Sequence, residues 1–158
     1  MSYNSKKTIA GMVMGVLVVA AYIIYALSDS SPAPDDLKSW AAAMLVFIGI
    51  GIAAAIAIQI ILHIALSIGV AVKEREQDDK TVERIIASTV VEDERDKLIG
   101  LKSTHIGYVF AGIGFVAALV ALALGIQVVT VLHILFGAFS GGSLAEGIMS
   151  VYFYEKGI

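Results

Sequence analysis

The sequence predicts an all-α integral membrane protein, a four-helix bundle with a cytoplasmic helical hairpin between its second and third spans. Hydrophobic residues make up 58% of the 158 residues and charged residues only 16%, whereas a soluble domain is usually about 25% charged. Most of the charges fall in one stretch, and four apolar segments have the roughly 20 residues that cross a bilayer. The membrane is therefore the expected solvent for most of the chain.

Polar or very short connections separate the four predicted spans, which together make residues 1–158 a single membrane domain. Only the last span contains a charged residue, Glu146. The first span has a basic flank, as a signal peptide does, but it is longer than the apolar core of about 7–15 residues in such signals. We therefore expect it to be retained as a span. The predicted boundaries are about 9–27, 40–72, 105–124 and 128–154.

The positions of lysine and arginine predict the orientation of the chain. Ten of the eleven basic residues lie before the first span, between the second and third, or after the fourth, and the exception is Lys38. Cytoplasmic connections carry an excess of basic residues. We therefore expect a multi-pass protein of the cell (plasma) membrane with both the N- and the C-terminus in the cytoplasm.

The second apolar segment is too long for one perpendicular crossing. As a helix, 40–72 would measure roughly 48 Å, against a hydrocarbon core of about 30 Å. The helix must either tilt strongly or continue beyond the bilayer, and Lys73-Glu74-Arg75-Glu76 contains no residue that would end it. Trp40 is placed to anchor the outer membrane interface.

The connection 73–102 is the only sizeable polar region. Its apolar residues recur at helical spacing, which predicts a helix with one apolar face, and a run of charges follows. That face packs on the membrane or on a sister subunit, or else it binds a cytoplasmic protein partner. The residues expected at such a partner contact are Val82, Ile85, Ile86, Asp93, Glu94, Arg95 and Asp96.

Polar residues from three spans lie at one depth, near the cytoplasmic boundary of the hydrocarbon. An ionisable group in a span is a functional-site hypothesis by default. Histidine and glutamate could pass protons or a cation, and no cofactor is expected, although a divalent metal or haem is an alternative at the two histidines and the glutamate. The other interpretation is hydrogen bonding between helices. The candidates are Gln59, His63, His105 and Glu146, whereas His133 lies apart in the outer half.

Several classes of function are disfavoured. Without cysteine the chain can form no disulfide, thiolate metal site or cysteine nucleophile. A net charge of −3 supplies no basic surface for nucleic acid, so direct binding of DNA or RNA is not expected. There is no phosphate-binding loop, zinc-protease motif or nucleophile elbow. Ser103, His105 and Asp96 could be drawn as a triad, but their spacing does not require one, and we expect no enzyme.

Glycine is abundant in the predicted spans. Gly11 and Gly15, and likewise Gly137 and Gly141, have the spacing of small residues that lets two helices approach closely. This predicts tight packing within the bundle or between subunits, and we expect a homo-oligomer.

The segment Asp93-Glu94-Arg95-Asp96, followed by Ile99, Lys102 and Thr104, resembles a family of uncharacterised, mostly four-helix prokaryotic membrane proteins. These are catalogued as a domain of unknown function and share an Asp-Glu-Arg stretch ahead of the third helix. Some members resemble partners of small helix-turn-helix regulators encoded beside them. The resemblance implies no catalytic or ligand-binding residue.

Two functions are expected from these observations. The first is a regulatory or accessory protein whose 73–102 segment contacts a partner. The alternative is a small oligomeric transport or channel protein that conducts protons or a cation past His63, His105 and Glu146.

Overall fold

The computed structural model describes residues 3–73 and 93–156, and four α-helices account for most of them. The helices are α1 (Tyr3–Ala26), α2 (Leu37–Lys73), α3 (Glu94–Ala123) and α4 (Val128–Lys156). Each is long and apolar enough to cross a membrane, and the two described ranges contain no strand. The predicted all-α four-helix fold is confirmed. The predicted cytoplasmic hairpin falls mainly on 74–92, outside the described residues.

The third and fourth helices form an antiparallel hairpin, which is the most extensive helix contact in the described part of the chain. Gly125 ends α3 with a φ of 75°, a left-handed conformation that favours glycine. The N–H groups of Gly125 and Ile126 donate to the carbonyl oxygens of Leu122 and Ala121, both at 3.0 Å. This pair of bonds is a Schellman motif, and it lets the chain reverse within the four residues 124–127 before α4 begins.

Small residues bring the backbones of α3 and α4 close together at two points. A Cβ atom added to Gly114 would overlap the Cβ of Ala138, and one added to Gly142 would lie 2.9 Å from the carbonyl oxygen of Gly107. Without a hydrophobic driving force in lipid, close van der Waals contact of this kind is a main source of helix association. The α3–α4 hairpin is therefore the tightly packed part of the bundle.

The glycine pairs noted in the sequence are not the ones at this contact. A Cβ on Gly137, Gly141 or Gly11 would have no neighbour within 4 Å, and one on Gly15 would lie 3.5 Å from Leu144. The spacing of small residues thus indicated close packing without identifying the glycines responsible for it.

The first helix joins the second to the hairpin. α1 packs against both α4 and α2, whereas α2 has only a small contact with α4. No residue in the most hydrophobic window of α2 is buried. A helix that is apolar on all sides requires an apolar environment on all sides, so the uncovered flank of α2 must face lipid or another protein surface.

The start of α2 is fixed by Asp36. Its carbonyl oxygen accepts from the N–H of Trp40 at 3.1 Å, and its Oδ1 accepts from the N–H of Ser39 at 3.0 Å, which is the arrangement of an N-cap. Hydrogen bonding to the Ser39 side chain and backbone lowers the pKa of Asp36, because these bonds stabilise the charged carboxylate. The helix therefore begins three residues before the predicted boundary.

The two ends of the bundle differ in charge. We call the end where α1 and α3 begin the basic end, and the opposite end, with connections 27–36 and 124–127, the loop end. Among the described residues the loop end has Lys38 as its basic residue. The described residues of the basic end include Lys6, Lys7, Arg95, Lys97, Lys102 and Lys156.

Candidate functional site

The acidic and basic residues that precede the predicted third span make hydrogen bonds at the start of α3 and at the end of α4. The Oδ1 atom of Asp93 accepts from the N–H of Asp96 at 2.7 Å, and Oδ2 of Asp96 lies 3.3 Å from the N–H of Asp93, so the two form a capping box. The Nη2 atom of Arg95 donates to the carbonyl oxygen of Tyr154, in the last turn of α4, at 3.4 Å. A cation is favourable at that position because the helix dipole is negative there.

These contacts give three of the predicted partner-contact residues a role within the chain. Asp93, Arg95 and Asp96 each make a hydrogen bond at a helix end, and the side chains of Asp93, Glu94 and Arg95 are all exposed. The remaining predicted contact residues, Val82, Ile85 and Ile86, lie outside the described residues.

Glu146 lies between α3 and α4 and is hydrogen-bonded across the helix pair. Its Oε1 accepts from Oγ1 of Thr104 at 2.7 Å, the usual length of an O–H···O hydrogen bond. A Cβ added to Gly107 would come within 3.0 Å of Oε2, so this glycine leaves room for the carboxylate. For Glu146 the interpretation of hydrogen bonding between helices therefore fits, with threonine as the partner.

The structure does not assemble the predicted cluster of two histidines and a glutamate. His105 follows Thr104 but is turned about 100° around the helix from it and is exposed. His63, on α2, is also exposed, and its carbonyl oxygen accepts from Oγ of Ser67 at 2.9 Å. Within 3–73 and 93–156, no three His, Asp or Glu side chains form a group that could hold a metal ion.

The three residues considered as a possible catalytic triad, Ser103, His105 and Asp96, do not form one in the structure. Ser103 is 1% exposed and its Oγ has no hydrogen-bond partner, so it makes no bond to His105. Asp96 belongs to the capping box described above. These three side chains therefore have no nucleophile–base contact, which acyl-transfer chemistry requires.

A cavity of about 660 Å³ opens among all four helices at the basic end. Gln59 of the predicted polar cluster and Asp96 of the predicted partner contact both line it. Thr104 lines it too, so the cavity reaches the hydroxyl that donates to Glu146. Its polar lining is contributed by Lys7, Gln59, Asp96, Lys97, Thr104 and Tyr154 among others.

A second cavity, of about 410 Å³, continues into the bundle between α1, α2 and α4. Gly11 and Ala55 line both cavities, so the two meet at these residues. The second cavity is mostly apolar, with a lining that includes Met14, Val18, Phe47, Ile52, Phe139 and Leu144. Together the two cavities form one groove, polar at the basic end and apolar deeper in the bundle.

Trp40 closes the loop end. It is 6% exposed, its ring centroid lies 4.6 Å from that of His133 at an interplanar angle of 71°, and its indole N–H donates to the carbonyl oxygen of Ala33 at 3.0 Å. The sequence suggested an interfacial anchor, but the indole packs inside the protein. It joins the 27–36 loop to α4.

His133, which the sequence placed apart from the other polar residues, packs among aromatic side chains in the structure. Its Nδ1 lies 2.8 Å from the carbonyl oxygen of Val129, so this nitrogen carries the proton that is donated. The Tyr22 ring centroid lies 6.1 Å from that of His133, and Tyr22 also packs on Phe47 and Phe136, at centroid distances of 5.3 and 4.3 Å. The available signal was that Tyr22 and His133 each lie about five residues from the loop-end limits of their predicted spans, while Trp40 begins its own span at the same end.

A family model described as a protein of unknown function (DUF1418) matches residues 3–88, which include α1 and α2. No curated protein and no solved structure matches the chain. The expected resemblance to an uncharacterised family is confirmed. The match ends before Asp93, so it does not test the motif on which that expectation was based.

Proposed function

The chain belongs to the family of proteins of unknown function DUF1418, and we propose that this member is a regulatory or accessory membrane protein without catalytic activity. It is a multi-pass protein of the plasma membrane with its basic end in the cytoplasm. Its cytoplasmic 73–102 segment contacts a protein partner.

The length of α2 is the observation that carries this proposal. α2 is one helix of 37 residues, about 55 Å long, against a hydrocarbon core of about 30 Å. The sequence of α2 is mostly apolar as far as Val72, so a helix of this length must tilt in the bilayer or extend an apolar surface past the hydrocarbon at the basic end. An apolar surface that extends past the hydrocarbon, next to the polar segment, needs a protein to cover it.

The orientation follows from charge. The described basic residues are concentrated at one end of the bundle, with Lys38 at the other. Short connections rich in lysine and arginine stay in the cytoplasm during insertion. This supports a cytoplasmic location for the basic end and hence for both termini.

The partner contact that we propose is narrower than the whole 73–102 segment. Asp93, Arg95 and Asp96 are used inside the chain, so charge reversal at Arg95 would disturb the end of α4 as well as any partner. Glu94 is exposed and the apolar positions Ile85 and Ile86 precede it. These residues form the surface to test.

A photo-crosslinking amino acid at Ile85 of the full-length protein, expressed in its own cells, tests the proposal. We expect one adduct with a soluble protein, identified by mass spectrometry, and its loss when Ile86→Asp is added because a charge disfavours an apolar contact. The matched control is the same crosslinker at Ile60, an exposed position within α2, where only lipid or a second copy should be captured.

Three results would contradict the partner contact. The adduct at Ile85 could contain only a second copy of this chain, it could equal the adduct at Ile60, or it could persist unchanged with Ile86→Asp. Each would remove the evidence for a specific cytoplasmic partner at this surface.

One observation favours a second candidate function, the transport of protons or a cation. Thr104 lines the polar cavity and donates to the carboxylate of Glu146, so an ionisable group is one hydrogen bond away from the space at the basic end. Four helices of one chain leave little room for a pore, and a symmetric oligomer would have to supply it.

Liposomes that contain the purified protein and an internal pH dye test this second candidate. If Glu146 carries the proton, wild type shows uptake under an imposed potential, and Glu146→Gln reduces the rate at least about a hundredfold, the low end of the usual effect of a positioned acid–base group. His63→Gln is the matched control, since His63 is exposed and outside the Glu146 contact. Equal rates for Glu146→Gln and wild type would exclude this route.

A further inference from the structure

The groove between the helices has the composition of an amphipathic ligand site. At the basic end, Lys7 on α1 and Lys97 on α3 line the same cavity. Beyond Gly11 and Ala55 the lining changes to apolar side chains from α1, α2 and α4. A molecule that fits must therefore carry its polar part at the basic end and a hydrocarbon part inside the bundle.

The charges at the polar part favour an anion. The charged residues that line this cavity are Lys7, Lys97 and Asp96. The Asp96 carboxylate also accepts from the N–H of Asp93 at the start of α3, and the nearby Glu146 carboxylate is bonded to Thr104. Two lysines from different helices thus line one cavity. The one carboxylate among its described lining residues, that of Asp96, is already hydrogen-bonded in the capping box of α3.

The groove is about as long as the hydrocarbon layer of one membrane leaflet is thick. Its lining runs from Lys7 to Val19 on α1 and from Phe47 to Gln59 on α2, about 18 Å along each helix. Half of a hydrocarbon core of about 30 Å is about 15 Å. A lipid molecule in its ordinary orientation would therefore extend from the basic end to the inner limit of the apolar cavity.

We propose that this groove binds one anionic phospholipid per chain. The headgroup phosphate lies between Lys7 and Lys97, and an acyl chain occupies the apolar cavity between α1, α2 and α4. Basic pockets between spans at the cytoplasmic side are suited to anionic headgroups. The lipid site and the partner contact are proposed on different residues, so either proposal can fail without the other.

Native mass spectrometry of the full-length protein in a neutral detergent, titrated with phosphatidylglycerol, measures this binding. We expect one tightly bound lipid per chain, with phosphatidylcholine at least tenfold weaker. Lys7→Gln together with Lys97→Gln should weaken binding roughly thirtyfold, the expected loss for two lysines at an anionic surface. Lys6→Gln with Lys102→Gln is the matched control, because these exposed lysines are at the same end of the same helices.

The acyl chain is tested at Ala55, where the two cavities meet. Ala55→Trp should fill the junction and weaken binding at least tenfold. Ala57→Trp, two residues further along α2 at a position that lines neither cavity, should leave binding within about twofold of wild type. Millimolar glycerol 3-phosphate should not displace the lipid, since a headgroup alone lacks the apolar contact.

Several results would overturn the lipid site. Equal loss of lipid affinity in the two double-lysine variants would indicate a general effect of charge. Equal affinity for phosphatidylcholine and phosphatidylglycerol would contradict the preference for an anionic headgroup. Full displacement of the lipid by glycerol 3-phosphate would indicate a site for phosphate alone. The double variant Lys7→Arg with Lys97→Arg keeps both positive charges, so it should bind the lipid as wild type does, unlike the double glutamine variant. A folded arginine variant that binds no lipid would also contradict the assignment.

Discussion

Replacing Gly114 with alanine is expected to lower the free energy of unfolding by about 1–3 kcal/mol, the usual cost of overpacking a tight core. The added methyl group would overlap the Cβ of Ala138 on α4. Both atoms are attached directly to helix backbones, so no side-chain rotation can separate them. The helices would have to move apart, which would weaken the neighbouring contact between Gly107 and Gly142. Unfolding in detergent, followed by circular dichroism, measures the change.

Two further variants test whether overlap with Ala138 causes the loss of stability in Gly114→Ala. Gly112→Ala adds the same methyl group on the same helix, but with no neighbour within 4 Å, and should leave stability unchanged or raise it by up to about 1 kcal/mol, because alanine favours a helix more than glycine does. Ala138→Gly combined with Gly114→Ala should recover most of the loss, because it removes the overlapping atom. If Gly114→Ala were as stable as Gly112→Ala, the close approach of α3 and α4 would be contradicted.

Replacing Trp40 with alanine is expected to destabilise the protein by about 3 kcal/mol or more. The indole is buried, packs edge-on against His133 and donates to the carbonyl oxygen of Ala33. Its removal would leave a cavity at the loop end and release the 27–36 loop from α4. Loss of Trp40 should also increase cleavage within this loop by an added protease, measured on the protein in detergent.

Trp40→Phe separates packing from hydrogen bonding. It retains an aromatic ring and removes the indole N–H, so a loss of only about 1 kcal/mol is expected. Tyr108→Ala controls for the removal of a large aromatic residue, because Tyr108 is 73% exposed. Equal destabilisation by Tyr108→Ala and Trp40→Ala would show that burial at the loop end is not what stabilises the bundle.

The sequence predicted the helices because their causes are local. Apolar stretches of the required length gave α1, α2 and α4 to within a few residues at most boundaries, and the absence of a helix breaker near Lys73 agreed with a second helix that continues to that residue. The third helix begins eleven residues before the predicted span at His105. Its start depends on the capping box of Asp93 and Asp96, a signal that was interpreted as a partner surface.

The candidate site was harder to predict because it depends on helix rotation and on which helices are neighbours. Depth along the bilayer placed His63, His105 and Glu146 at one level, but depth does not specify the face of each helix. The carboxylate of Glu146 meets Thr104, the residue immediately before His105. A rotation of about 100° separates adjacent residues on a helix, which is the difference between the predicted contact and the observed one.

The pairing of the helices also determines how the protein can be assembled during synthesis. The main contact of α3 and one of the two contacts of α1 are with the last helix, α4, so in a membrane neither contact can form until α4 has been inserted. The third and fourth helices are joined by a short turn and can associate locally once both are present, as contacts between neighbouring segments form readily. The bundle is therefore completed from its C-terminal end, and α2, with its uncovered flank, contributes least to the step that closes it.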